Sequence, residues 1–330
     1  MRKNFIPIAL AAAVSLFWTG CKKSDPVVKE TTVVPSGPVE LKLKWPAGRS
    51  LLQSVDAKVN FEMALPGKPE PMRQDIDLKQ RYGFTVLKER PEGGREVELE
   101  LLEAQMNMKQ GDKVLLDYDS TERSSGRATN VAASAFGKLV GSRFRYLLDA
   151  SNHVEKIEGI EEFKARMASD TSGIKNTFSE EYFRNLMSMG RGLPPKPVEP
   201  GDKWPVKMEI PMGDLGTMII DLTYTFEDWR LRNTRYCAAI SFDGTITSKP
   251  GSSPKDKKMT MSIQNGKSWG ETWFDLDMGM FVAMDMNQDM KMLMTMANPR
   301  PGSPSTGKSQ TLNITNKMNQ VIKMKLEAVK

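Results

Sequence analysis

Apolar and polar residues alternate along most of the chain beyond about residue 50. Val55, Ala57, Val59, Phe61 and Met63 share one side of an extended segment, and Ile76, Leu78, Tyr82, Phe84 and Val86 share one side of the next. A period of two is the mark of half-buried strands, one face packed and the other wet. Val97, Leu99 and Leu101 continue the pattern, and the phase then shifts to Ala104, Met106 and Met108. One extra residue in a β-bulge produces such a shift. Phe144, Tyr146 and Leu148 predict a further strand. Before it, Thr129 or Asn130 is placed to cap a short helix carrying Ala132, Ala135, Phe136 and Leu139, with Gly141 as its stop.

The period then changes. Ile160, Phe163 and Met167 fall at helical spacing, and Ser179 followed by Glu180 and Glu181 opens a second predicted helix. Phe178 and Phe183 flank that cap as a hydrophobic staple, and Gly190 is its expected end. Leu193-Pro194-Pro195-Lys196-Pro197-Val198-Glu199-Pro200-Gly201 reads as a linker, because four prolines suit neither a helix nor a central strand. Long alternating segments return after it: Met218, Ile220, Leu222, Tyr224 and Phe226, then Tyr236, Ala238, Ile240, Phe242 and Ile246. The halves look alike. Tyr82-Gly83-Phe84 matches Tyr224-Thr225-Phe226, and Leu148-Asp149 with Val154 matches Leu276-Asp277 with Val282. The expected fold is mainly β (α+β): two related antiparallel curved-sheet or half-barrel units with a helical insert between them. The expected boundaries are a first β-rich unit at 41–158, a helical connector at 159–192, a Pro-rich linker at 193–205 and a second β-rich unit at 206–330.

The N-terminus departs from all of this. Arg2 and Lys3 precede an apolar run from Phe5 to Trp18 that closes on Thr19-Gly20-Cys21. The run is shorter than the roughly 20 residues that span a bilayer, so residues 1–20 read as a signal peptide. Leu16-Phe17-Trp18-Thr19-Gly20-Cys21 resembles a lipobox, although Trp18 stands where an aliphatic residue is usual. The resemblance implies diacylglycerol on the thiol of Cys21 as the new N-terminus, with palmitate among the acyl chains. More than one buried chain, at about 0.8 kcal/mol per CH₂, holds a protein stably on a membrane. Residues 21–40 then read as the lipidated end and a tether, rich in Lys, Pro, Val, Thr and Ser and able to reach on the order of 60 Å. The expected location is the bacterial cell envelope. Lys22 replaces the aspartate of an inner-membrane retention signal, which favours the outer membrane, facing the periplasm or the surface, where the cell has one.

Composition adds limits. With 39% hydrophobic and 27% charged residues the chain is ordinarily globular, and its charges are interspersed rather than gathered into a nucleic-acid footprint. The chain has two cysteines, so with Cys21 lipidated Cys237 has no disulfide partner.

With these elements placed, the chain resembles a family of exported bacterial proteins built on a domain of unknown function. The likeness rests on a Leu-x-Leu-x-Trp entry strand at Leu41-Lys42-Leu43-Lys44-Trp45, on Phe178-Ser179-Glu180-Glu181, Leu193-Pro194-Pro195 and Pro200-Gly201-Asp202-Lys203-Trp204, and spans most of residues 40–327. It implies the architecture and supplies no mechanism. A looser likeness, of arrangement only, is to the half-barrel lipoprotein carriers of the bacterial envelope.

Motifs that suggest chemistry fail on context. Gly302-Ser303-Pro304-Ser305-Thr306-Gly307-Lys308-Ser309 matches a phosphate-binding loop by letter. A prolyl stretch precedes it, however, and a strand-like alternation follows where a helix is required. Asp285-Met286-Asn287-Gln288-Asp289 begins like a calcium loop but has Met290 at the glycine position and Met296 at the closing glutamate. Asp275 and Asp277 before Gly279 read as a hairpin turn. His153 is the only histidine, which leaves histidine catalysis and zinc ligation without partners. No catalytic residues, cofactor or metal ligands are assigned.

Methionine is the unusual feature. Eight of 23 lie between Met278 and Met296, and Met284, Met286, Met290, Met292 and Met294 share one side of a predicted strand. Flexible thioethers fill an irregular core, line a cavity for an apolar ligand such as an acyl chain, or bind copper(I). Two classes of function follow. One is a membrane-tethered, non-catalytic binding or structural module for an apolar ligand, a lipid or another envelope protein. The other is an exported hydrolase whose site the sequence does not assemble.

Overall fold

Alternating sequences bury one face only when another surface covers it, and this chain supplies that cover from a single sheet. The computed structural model describes residues 33–45, 47–122, 137–168, 180, 183–184, 187, 192–212, 215–232, 234–250, 259–297 and 311–329. The expected signal peptide, Cys21, the helix start at Thr129 or Asn130, the Phe178–Ser179 cap, Gly190 and the 302–309 loop lie outside them. The strands are β1 (Ser50–Ala64), β2 (Met72–Glu89), β3 (Arg95–Gln110), β4 (Lys113–Asp119), β5 (Arg143–Leu148), β6 (Val154–Glu158), β7 (Lys203–Pro211), β8 (Thr217–Arg232), β9 (Arg235–Lys249), β10 (Met259–Asp275), β11 (Met280–Ala297) and β12 (Thr311–Val329), with helix α1 (Ile160–Arg166) between β6 and β7. Among the described residues, no helix is long and apolar enough to cross a membrane.

All twelve strands belong to one antiparallel sheet ordered β6-β5-β3-β2-β1-β12-β11-β10-β9-β8-β7, with β4 paired to β3 beside β5. Each half is a meander. They merge where the first strand meets the last: Val55 faces Met324, Ala57 faces Ile322 and Val59 faces Gln320. On the wet face of that seam, Arg81 donates to Glu103 and to Glu327 at 2.7 Å each, and Ser54 donates to Glu327 at 2.7 Å, tying four adjacent strands together. Strongly twisted sheets of more than about ten strands tend to curl, and this one does so without closing, its order ending at β6 and β7. Here bulges assist. The phase shift in β3 is one of them, since Arg81 pairs with Glu103 and Tyr82 with Leu101, leaving Leu102 as the extra residue. Glycines assist too: a Cβ on Gly244 would lie 1.9 Å from the carbonyl oxygen of Asp221 on the next strand, so that close approach excludes every other residue.

One end of the sheet is closed by residues 39–45. Leu41, Leu43 and Trp45 are buried while Lys42 and Lys44 are exposed, yet only Val39 makes a bridge, to Val198. The segment is a strap crossing both halves. Asn152 Nδ2 of the β5–β6 turn donates to the Leu43 carbonyl at 3.4 Å, and Arg95 Nε donates to that of Trp45 at 3.1 Å. On the other half, the Lys44 amide donates to Gly279 O at 3.1 Å, and its Nζ donates to Leu276 O at 2.6 Å. Gly279 has φ 60°, and a Cβ there would lie 2.3 Å from Lys44 Cγ, so both the turn and the strap demand glycine.

The helical segment caps the first half. Ile160, Phe163 and Met167 are buried as their spacing predicts. Phe163 and Phe183 close on Phe144 at ring distances of 5.7 and 4.2 Å, and Tyr146 Oη donates to Phe183 O at 3.1 Å. A helical turn at 137–139 buries Leu139 and ends at Gly141, φ 76°. At the far edge β7 begins at Lys203, inside the stretch expected as linker, and its Pro205 and Pro211 fit an edge strand that need not donate outward.

Candidate functional site: the methionine-lined inner face

β11 carries its even-numbered residues inward. Met284, Met286, Met290 and Met292 are buried, and Met294 is partly buried and packed against the same core. The neighbouring strands complete the surface. Met324, Ile322, Met318, Asn316 and Ile314 of β12 face Met284, Met286, Met290, Met292 and Met294 in turn. On β10, Thr272, Gly270, Gly266, Ile263 and Met261 occupy the corresponding positions, so glycines lie opposite Met286 and Met290. All five residues of the predicted stripe therefore belong to one apolar surface near the middle of the sheet. Long unbranched thioethers beside glycines can change rotamer with little backbone movement.

Gln288 lies in the middle of this stripe, opposite Gln320, and both are buried. The stripe expected from the sequence leaves out Gln288, a polar residue among methionines. The signal was present in the alternation itself, since Gln288 has the parity of the methionines. The acidic members of that motif face the other way: Asp285 and Asp289 are exposed, and Asp289 accepts from Asn319 Nδ2 at 2.5 Å. The two sides of a strand account for the motif's spacing, in keeping with the alternation in the sequence.

The remaining candidates have structural roles. Asp149 accepts the backbone N–H groups of Ser151 and His153 at 2.8 Å each and meets His153 Nδ1 at 3.1 Å. These bonds, that of the His153 amide first, hold its carboxyl below the usual aspartate range. The arrangement is a turn on the surface. Asp275 is buried at the β10–β11 turn, 3.0 Å from Arg235 and accepting from the Met278 amide. Burial nevertheless pushes its carboxyl upward. The nearby Cys237 thiol is pushed up to about 12, chiefly by burial, which leaves it a packing group rather than a nucleophile. Among the described residues no three His, Cys, Asp or Glu side chains gather as a metal site. Around the 302–309 loop, β11 and β12 pair as antiparallel neighbours, Ala297 facing Thr311, so a strand stands where a phosphate loop needs a helix.

A sequence profile described as a family of unknown function (DUF6263) matches residues 93–281, more than half of the chain. The chain belongs to the DUF6263 family. The match runs from the β2–β3 turn to the start of β11, taking in the Leu193-Pro194-Pro195 and Pro200–Trp204 motifs and leaving the strap, β1, β2, β12 and all five methionines of the stripe outside. No curated protein matches this chain in sequence. Similar solved structures include one of lipid–protein interactions in lipovitellin, 10% identical with a TM-score of 0.44, covering 87% of this chain and 26% of that one. This chain thus spans about a quarter of that protein. Another is a putative exported protein with a YmcC-like fold from Bacteroides fragilis, 13% identical with a TM-score of 0.25, covering 88% of this chain and all of the other.

Proposed function

We propose that the protein is a non-catalytic lipoprotein of the bacterial envelope that holds an apolar ligand against the inner face of its curled sheet. The observation that carries this reading is the width of that face. Buried methionines from β10, β11 and β12 form one continuous surface with Val55, Ala57 and Val59 of β1. Adaptable thioethers suit chains of variable shape better than a fixed core needs. Beside this, Asp275 is engaged in a turn and the Cys237 thiol is held up by burial, so neither offers the hydrolase reading a nucleophile. The uncharged fluorophore phenylnaphthylamine should bind the folded protein saturably and be displaced by long-chain lipids. Fluorescence that rises without saturation would argue against a defined site.

Lipid on Cys21 would place this sheet next to its source of ligand. Replacing Cys21 by Ser should release the protein from the membrane fraction, and radioactive palmitate should label the wild type alone. A wild-type chain that takes up no label would remove the anchor from this account.

A further inference from the structure

Amides interrupt the inner face, and an apolar ligand alone makes no use of them. Gln53 on β1, Gln74 and Gln80 on β2, Gln288 on β11 and Asn316 and Gln320 on β12 are each no more than 5% exposed. They share the parity of the buried apolar residues on their strands. Each keeps one end of its carboxamide without a hydrogen-bond partner: Nε2 of Gln53, Gln74 and Gln320, Oε1 of Gln80 and Gln288, and Oδ1 of Asn316. Two of them form a polar row with Ser268, since Ser268 faces Gln288 and Gln288 faces Gln320. Gln288 Nε2 reaches Ser268 Oγ at 3.3 Å and Met286 Sδ at 3.7 Å, which leaves its oxygen and the Gln320 nitrogen unmet. A second pair is diagonal, because Gln53 faces Tyr82 while Val55 faces Gln80.

A carboxamide offers both a donor and an acceptor whichever way it is turned. Leaving one buried and half-satisfied is costly, and a closed core of Met, Ile and Val would pack better with leucine at these positions. The buried polar side chains of the described residues include no Lys, Arg or His. Their one carboxyl group, that of Asp275, lies at the β10–β11 turn. Among the described residues the inner face thus offers neutral hydrogen bonds and no cation.

We propose that the ligand is an uncharged lipid whose ester or hydroxyl groups hydrogen-bond to Gln288 and Gln320 while its acyl chain lies on the methionines. This rests on the reading that the inner face takes a ligand at all. A free fatty acid is the poorer fit, because its carboxylate would be desolvated with no cation to meet it.

The test compares a long-chain monoacylglycerol with the fatty acid of the same chain length as competitors for phenylnaphthylamine, on the full chain carrying Cys21→Ser and purified without detergent. The glycerol ester should bind about tenfold more tightly than the acid at neutral pH, the size of effect that one buried hydrogen bond supplies. Gln288→Leu with Gln320→Leu should melt no lower than the parent and keep its affinity for phenylnaphthylamine, while its affinity for the ester falls about tenfold. Equal affinities for ester and acid in the parent chain would overturn the inference even if the double variant failed to fold. So would an unchanged ester affinity in the variant, the result expected if only water serves these amides. A chain that bound no phenylnaphthylamine would instead remove the reading on which the inference rests.

Discussion

Trp45→Ala should lower the unfolding free energy by about 3–5 kcal/mol, the range for removing a large buried aromatic side chain. Trp45 is completely buried, packs on Phe84 at 6.2 Å between ring centres, and sits where the strap turns into β1. Its backbone is in the left-handed region at φ 41°, so alanine would inherit the strain without the packing that offsets it. The strap contacts the turns of both halves, and loosening its end should loosen both. For a domain with a total stability of about 5–15 kcal/mol the loss is large, on the order of 10 °C in melting temperature. Trp269, exposed on β10, is the control. Its replacement by alanine should shift melting little. Equal shifts from the two substitutions would mean that the strap does not hold the sheet closed.

Met290→Glu with Met292→Glu should abolish phenylnaphthylamine binding while leaving a cooperative melting transition. Met290 is 5% exposed and Met292 1%, next to one another on the inward side of β11. Two carboxylates there would have to be desolvated against a ligand, and each carries a penalty of several kcal/mol when buried unpaired. If the inner face opens to admit a ligand, water reaches the carboxylates in the free protein and the fold survives, with binding reduced by well over about tenfold. If the stripe is a sealed core, the same pair should unfold the chain. The two readings separate cleanly, because a sealed core also predicts that the wild type never binds the probe.

Local patterns gave away most of the strands. The β3 bulge was readable because inward residues slip from odd numbers through Leu101 to even numbers from Ala104, and the structure places the extra residue at Leu102. The spacing of Ile160, Phe163 and Met167 likewise identified α1 and the residue after it. What the sequence did not show is the pairing of β1 with β12. Two distant strands with generic alternation carry no local signal for their register, which is set by matching buried faces across the whole sheet. That pairing joins the two expected units into one sheet. The strap was misleading in another way. Its Leu41-x-Leu43-x-Trp45 alternation is that of a strand, but its burial comes from crossing the end of the sheet rather than from pairing within it. The methionine stripe was legible in full, whereas the amides beside it were not, because a glutamine in an alternating segment usually marks the wet side.

Uptake of a lipid by the inner face is open to native mass spectrometry of the Cys21→Ser chain, purified from cells without detergent. The spectrum should show a population heavier than the bare chain by about one uncharged acyl lipid, which dissociates on activation and is recovered by solvent extraction. A chain that emerges only at its own mass, and gains none after incubation with vesicles containing diacylglycerol, would contradict it.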